Sequence, residues 1–136
     1  MNMDDRIAVQ DVMLRYAAGV DDRDMDLYQS CFADDCEIVG FADETVQGSD
    51  NWRAYVVKAL AKYGATQHML GPQLATIEGD RAECRTDVQA THFLLEPAGS
   101  TLTLWATYKT RMARIEGVWK IARHELIARG TKLDSA

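Results

Sequence analysis

Apolar residues along the first fifth of the chain recur with a helical period. Val9, Val12, Met13, Tyr16, Ala17 and Val20 fall at i, i+3, i+4, i+7, i+8 and i+11, which is one face of a helix spanning roughly residues 5–20. Asp21 stands four positions beyond Ala17 and so continues that face as a carboxylate aimed at a core. Gly19 and the acidic run Asp21 to Asp24 loosen the helix, and Asp24 is placed to cap a short second helix carrying Leu27, Tyr28, Cys31 and Phe32. A short strand is expected from Glu37 to Phe41. Gly48-Ser49 opens a third helix with the stripe Trp52, Tyr55, Val56, Ala59, Leu60 and Tyr63, and Gly64 is expected to end it.

After Gly64 the period changes from 3.6 to 2. Strands are expected at about 66–78, 81–96, 101–116 and 118–129, joined by the turn-like segments Glu78-Gly79-Asp80, Pro97-Ala98-Gly99-Ser100 and Glu116-Gly117. In the 81–96 segment Ala82, Cys84, Val88, Ala90, His92 and Leu94 share one face, whereas Arg81, Glu83, Arg85, Asp87 and Gln89 share the other. His92 therefore points inward. Leu102, Leu104, Ala106, Tyr108 and Met112 alternate with Thr103, Thr107, Lys109 and Arg111, so Tyr108 points inward too. His68 has the parity of Leu70 and Leu74, although a bulge at Gly71-Pro72 would reset the register. Helices followed by long antiparallel strands make an α+β pattern in which a curved sheet wraps over helices. One domain fits residues 1–136, with 131–136 expected as a loose tail.

Charge narrows the partners. The net charge is −6, from 21 acidic and 15 basic residues, and no basic run stands out, which argues against nucleic acid and favours a small-molecule substrate. No apolar run approaches membrane-spanning length and the acidic start does not look like a leader, so no membrane partner and a cytoplasmic location are expected. Cys31, Cys36 and Cys84 lack metal-site spacing and sit among apolar residues, as buried reduced thiols would. No two of His68, His92 and His124 lie at short ligand spacing, so no metal is expected. A phosphate-cradling glycine loop and a G-x-S-x-G motif are both missing from the sequence.

Candidate chemistry then rests on Asp21, His68 and His92. A carboxylate that accepts a proton from one imidazole nitrogen fixes the tautomer and leaves the other nitrogen as a base near neutral pH. A second His or a Tyr can assist a carbonyl or leaving group. Against this, an inward His is more often a satisfied core residue, and an Asp near a helix end is usually a cap. His124 reads as structural. Tyr16 and Tyr108 read as core aromatics with a hydroxyl to satisfy, and Trp52, Tyr55 and Tyr63 as core that could also line a cavity accepting a ring.

The segments Arg15 to Asp21 with its acidic turn, Ala65-Thr66-Gln67-His68 and Ile115 to Ile121 together resemble the SnoaL-like branch of the nuclear transport factor 2-like superfamily. Within it the pattern is most similar to scytalone dehydratase and its bacterial relatives, including bile-acid dehydratases and hexachlorocyclohexane dehydrochlorinase. The resemblance implies a cone-shaped α+β barrel with a pocket open at one end, and an Asp-His pair, here Asp21 and His68, that abstracts a proton without a cofactor. It further implies a catalytic role for His92, after a one-residue gap in the Glu78-Gly79-Asp80 turn, and for Tyr16, five positions before the Asp. The sequence departs from scytalone dehydratase near Val20, Gly40, Ala106 and Tyr108, so a substrate does not carry over. The expectation is a lyase of dehydratase type acting on a small, largely apolar, cyclic substrate, polyketide- or steroid-like, with Tyr108, Trp52, Tyr55, Phe41 and Met112 around it. An isomerase or cyclase, and a non-catalytic ligand-binding or assembly subunit, stay open beside it. Outward Thr103, Trp105 and Thr107 suggest a homodimer or trimer.

Overall fold

The computed structural model describes residues 3–136. Helix α1 (Met3–Asp21) leads to α2 (Met25–Ser30), strands β1 (Phe32–Val39) and β2 (Val46–Gln47), helix α3 (Ser49–Leu60), and strands β3 (Tyr63–Leu70), β4 (Leu74–Glu78), β5 (Arg81–Leu94), β6 (Thr101–Ile115) and β7 (Val118–Asp134). The strands form one sheet in the order β2-β1-β7-β6-β5-β3, with β4 also paired to β5. All pairings are antiparallel except β1 with β7, which is parallel. The result is the expected α+β architecture, a curled and unclosed sheet with three helices in its concavity.

The stripe on α1 is buried as its spacing requires: Val9, Val12, Met13, Tyr16, Ala17 and Val20 all belong to the core. Gly19 lies on the same face because α2 crosses there. A Cβ at Gly19 would stand 2.8 Å from the Tyr28 backbone nitrogen, so only glycine lets the two helices approach. Asp24 caps α2 by accepting from the Leu27 N–H at 3.1 Å. The Trp52 indole N–H donates to the Tyr28 hydroxyl at 3.0 Å, tying α3 to α2.

Irregularities in the strands shape the concavity. Register shifts between β6 and β7, at Trp105/Ala106 and at Arg111/Met112, place an extra residue in β7 at each point, which bends the strands. The break at Gly71 to Gln73 resets the register as anticipated: His68 faces Ala90 on the inner side, whereas Leu74 faces Arg85 and is 67% exposed.

Several expectations are corrected here. Helix α3 stops at Leu60 and Gly64 lies inside β3, because strand pairing with β5 begins at Tyr63. Phe32 starts β1 rather than finishing α2, and that strand ends at Val39. The segment expected as a tail continues β7: Thr131 to Asp134 pair with Leu104 to Thr101 of β6. Thr107 is buried, not exposed, since its hydroxyl donates to Asp87 Oδ1 at 2.7 Å and accepts from Arg129 Nε at 3.2 Å. Trp105 is exposed and Thr103 half-buried, so the outer apolar patch is smaller than alternation suggests. The three cysteines are free and buried, and burial pushes each thiol up to about 11.

Candidate functional site

Asp21 is the last residue of α1, and β3 runs beside it. Antiparallel pairing puts Thr66 opposite His92 and His68 opposite Ala90, so Thr66, His68 and His92 share the concave face of the sheet. This register is what unites residues far apart in sequence. His68 Nδ1 lies 2.7 Å from Asp21 Oδ1, the His68 backbone N–H donates to Asp21 Oδ2 at 2.7 Å, and the Thr66 hydroxyl donates to Asp21 Oδ1 at 3.0 Å. A carboxylate only accepts, so Nδ1 of neutral His68 carries the proton and Nε2 keeps its lone pair. Burial by itself would raise the Asp21 carboxyl. The hydrogen bonds and charge of His68, with the Thr66 hydroxyl, outweigh it and hold the carboxyl below its usual value.

His92 Nδ1 is 3.0 Å from the Leu102 carbonyl oxygen, which likewise fixes Nδ1 as the protonated nitrogen and leaves Nε2 as an acceptor. Burial pulls the His92 pKa down, against a smaller upward pull from that hydrogen bond, so the ring is neutral at pH 7. The rings of His68 and His92 meet edge-on with centroids 6.0 Å apart, and Tyr63 packs 4.7 Å from His92.

Both histidines line a cavity of ≈ 270 Å³. Tyr16, Tyr28 and Tyr108 bound it on one side, Phe41, Trp52, Tyr55 and Tyr63 on others, with Val20, Val56, Ala59, Leu60 and Leu104 between them. Lys62 is the one cationic side chain other than histidine in the lining. A wider depression of ≈ 540 Å³ between Phe41 and Gln47 shares Phe41 and Tyr55 with this cavity but contains neither histidine. The histidine-bearing cavity is therefore the candidate site.

Beneath the cavity a buried polar cluster anchors the tyrosines. His124 Nε2 is 3.0 Å from the Tyr16 hydroxyl, and His124 Nδ1 is 3.0 Å from Thr110 Oγ1. His124 is fully buried, and burial drives its pKa down to about 3. A neutral imidazole donates at one nitrogen and accepts at the other, so the ring couples the two hydroxyls. Burial also raises the phenols: Tyr108 is pushed up to about 12, and Tyr16 and Tyr28 are held well above the ordinary phenol value, so all three stay protonated donors.

The structure thus brings together Asp21, His68, His92, Tyr16, Tyr108, Trp52, Tyr55 and Phe41. Met112 is a correction. It faces inward as alternation predicts, but it is wholly buried in the core and does not line the cavity. Thr66 and Arg23, which complete the surroundings of Asp21, escaped the sequence reading. Thr66 has the same parity as His68, and that signal was available. Among the described residues no group of three or more His, Cys, Asp or Glu side chains is placed to hold a metal ion, and no helix is long and apolar enough to cross a membrane.

A model of the SnoaL-like domain matches residues 1–125. The chain belongs to that family. Solved structures repeat the fold of this SnoaL-like domain. A Novosphingobium aromaticivorans protein provisionally named a scytalone dehydratase superposes with a TM-score of 0.90 at 20% identity, covering 99% of this chain and 91% of its own. The hexachlorocyclohexane dehydrochlorinase LinA-type3 of Novosphingobium barchaimii gives 0.88 at 20% identity, covering 98% and 92%. A third protein, from Novosphingobium aromaticivorans and provisionally named an aromatic ring hydroxylase, gives 0.88 at 26% identity, covering 100% and 96%. Comparison with curated proteins finds no match.

Proposed function

We propose that this SnoaL-like domain is a cofactor-independent lyase of dehydratase type. The observation that carries the reading is the 2.7 Å contact of Asp21 Oδ1 with His68 Nδ1 at the wall of an aromatic cavity. Asp21 holds His68 in the tautomer whose Nε2 is basic, and Nε2 removes a proton from a carbon next to a carbonyl. As that C–H bond breaks, its electron pair moves onto the carbonyl oxygen. Tyr16 and Tyr108, protonated at neutral pH, donate hydrogen bonds to the developing enolate. The enolate then expels a β-hydroxyl, a carbon–carbon double bond forms, and the His68 imidazolium returns its proton to the departing oxygen as water. Neutral His92, with Nε2 as an acceptor, holds the hydroxyl in place until His68 delivers the proton.

The cavity sets the substrate class. At ≈ 270 Å³ it lies just under the roughly 300–1,000 Å³ common for small-molecule sites, and its lining is mostly aromatic. A small, largely apolar cyclic compound of one or two fused rings, polyketide-like in character, fits better than an extended chain or a full steroid. The relatives named as a dehydratase and a dehydrochlorinase both carry names of eliminations, which supports the same direction.

Incubation with a panel of cyclic β-hydroxy ketones tests the reading by mass spectrometry. The wild type should give products lighter by one water, and His68→Ala should not. Products of unchanged mass would instead mark an isomerase or cyclase. Ligands that bind and stay unchanged would mark a binding subunit.

A further inference from the structure

Arg23 is placed unlike any other side chain near the site. Its backbone lies in the left-handed region, at φ 58, which a residue with a Cβ adopts only when its surroundings enforce it. That conformation turns the half-buried side chain back across the end of α1. Nη1 donates to the Val20 carbonyl at 2.6 Å and to Thr66 Oγ1 at 2.8 Å, and Nη2 donates to the Gly64 carbonyl at 3.1 Å. A guanidinium has donors and no acceptor, so Thr66 Oγ1 is obliged to accept from Arg23. The single proton of Thr66 is then directed at Asp21 Oδ1, 3.0 Å away.

We propose that Arg23 is a positioning residue of the Asp21–His68 pair, acting through Thr66: it fixes the direction of the Thr66 hydroxyl so that Asp21 accepts from three donors and keeps Oδ1 facing His68. The inference rests on the reading of that pair given above. Arg23 makes no hydrogen bond to His68 and is not itself among the residues that line the cavity, which it meets only through the backbone carbonyl of Val20. Its fork spans the end of α1 and the start of β3, the two elements whose separation sets the Asp21 to His68 distance. Lysine, a single compact ammonium, cannot serve Val20, Gly64 and Thr66 with the same geometry.

The test needs no substrate. Carboxyl carbons of labelled aspartate are followed by NMR against pH, and the His68 ring nitrogens are followed in the same samples. In the wild type Asp21 should titrate below the ordinary carboxylate range, with His68 protonated at Nδ1 when neutral. Arg23→Gln should raise the Asp21 midpoint by about one pH unit and mix the His68 tautomers, and Thr66→Val should do the same. Thr66→Ser, which keeps the hydroxyl, should match the wild type. In the Thr66→Val background Arg23→Gln should retain less than half of its single effect. An unchanged titration in Thr66→Val overturns the proposal even if Arg23→Gln fails to fold. So does a full Arg23→Gln effect in the absence of the hydroxyl, which would mark a simple charge or loop clamp. Because titration is read without turnover, loss of this relay would leave the catalytic reading of Asp21 and His68 standing, and the reverse holds as well.

Discussion

Asp21→Asn changes one atom, yet it sets three hydrogen bonds against each other. Asparagine offers one acceptor oxygen and one NH2 donor where the carboxylate offers two acceptors. With its oxygen in the Oδ1 place, the NH2 faces the His68 backbone N–H, donor against donor at 2.7 Å. With its oxygen in the Oδ2 place, the NH2 faces the Thr66 hydroxyl and His68 Nδ1, and His68 must move its proton to Nε2 to accept there. The first arrangement leaves a buried donor unpaired, at a cost of about 1–3 kcal/mol in stability. The second removes the basic nitrogen, so about 10²- to 10⁴-fold of turnover should go with it. Side-chain exposures of 18% for Asp21 and 11% for His68 leave little room for water to repair either arrangement. Acid unfolding should change too. The folded Asp21 pKa is lowered from 3.8, so its stabilising contribution is present above that unfolded value and lost as pH falls through the folded one. Asp21→Asn should flatten that part of the stability curve. Nitrogen NMR of the His68 ring, urea unfolding at a series of pH values and turnover are the assays. Turnover within tenfold of the wild type, with His68 still protonated at Nδ1, would refute the reasoning.

His124 gives a second pH-dependent expectation, with its pKa lowered from 6.5 to about 3. Below pH 6.5 the unfolded chain takes a proton that the native ring refuses, so stability should fall toward pH 3 by at most ~1.4 kcal/mol per pH unit from this group. His124→Phe should remove that slope in urea unfolding and, by leaving Tyr16 and Thr110 without the ring, cost about 1–3 kcal/mol at pH 7. An unchanged slope would mean that His124 is not buried in its neutral form. Gly19→Ala should lower the urea midpoint by about 1–3 kcal/mol of stability despite alanine's better helix propensity, because the added Cβ meets the Tyr28 backbone, which has no side-chain freedom to yield. A midpoint at or above the wild type would show that α1 and α2 are farther apart than described.

Much of this site was legible because period and face are properties of sequence. The stripe of α1 continued into Asp21, and strand alternation aimed His92 and Tyr108 inward, where they are found. Parity placed His68 with Leu70 and Leu74 unless a bulge at Gly71-Pro72 intervened; the break is there, and Leu74 turns outward. What alternation could not supply was depth. Met112 and Tyr108 share a face of β6, but Met112 is wholly buried in the core whereas Tyr108 also lines the cavity. Nor could it supply sideways partners: Thr107 points outward and is buried because Asp87 and Arg129 close over it. The 131–134 segment lacks apolar alternation and reads as a tail, yet the long β6 gives it a ladder to join. Arg23 was hidden for a different reason. Its role depends on a left-handed backbone inside an acidic turn, where a lone arginine looks like surface charge.

The central claim is that His68, held by Asp21, removes a proton from carbon in the aromatic cavity. Deuterium wash-in measures that step before any leaving group departs. A cyclic ketone lacking a β-hydroxyl is incubated in heavy water with wild-type protein and with His68→Ala, and deuterium at the α-carbon is followed by mass spectrometry. The account predicts enzyme-dependent exchange in the wild type and only the solvent background in His68→Ala. Equal exchange by the two proteins would contradict it.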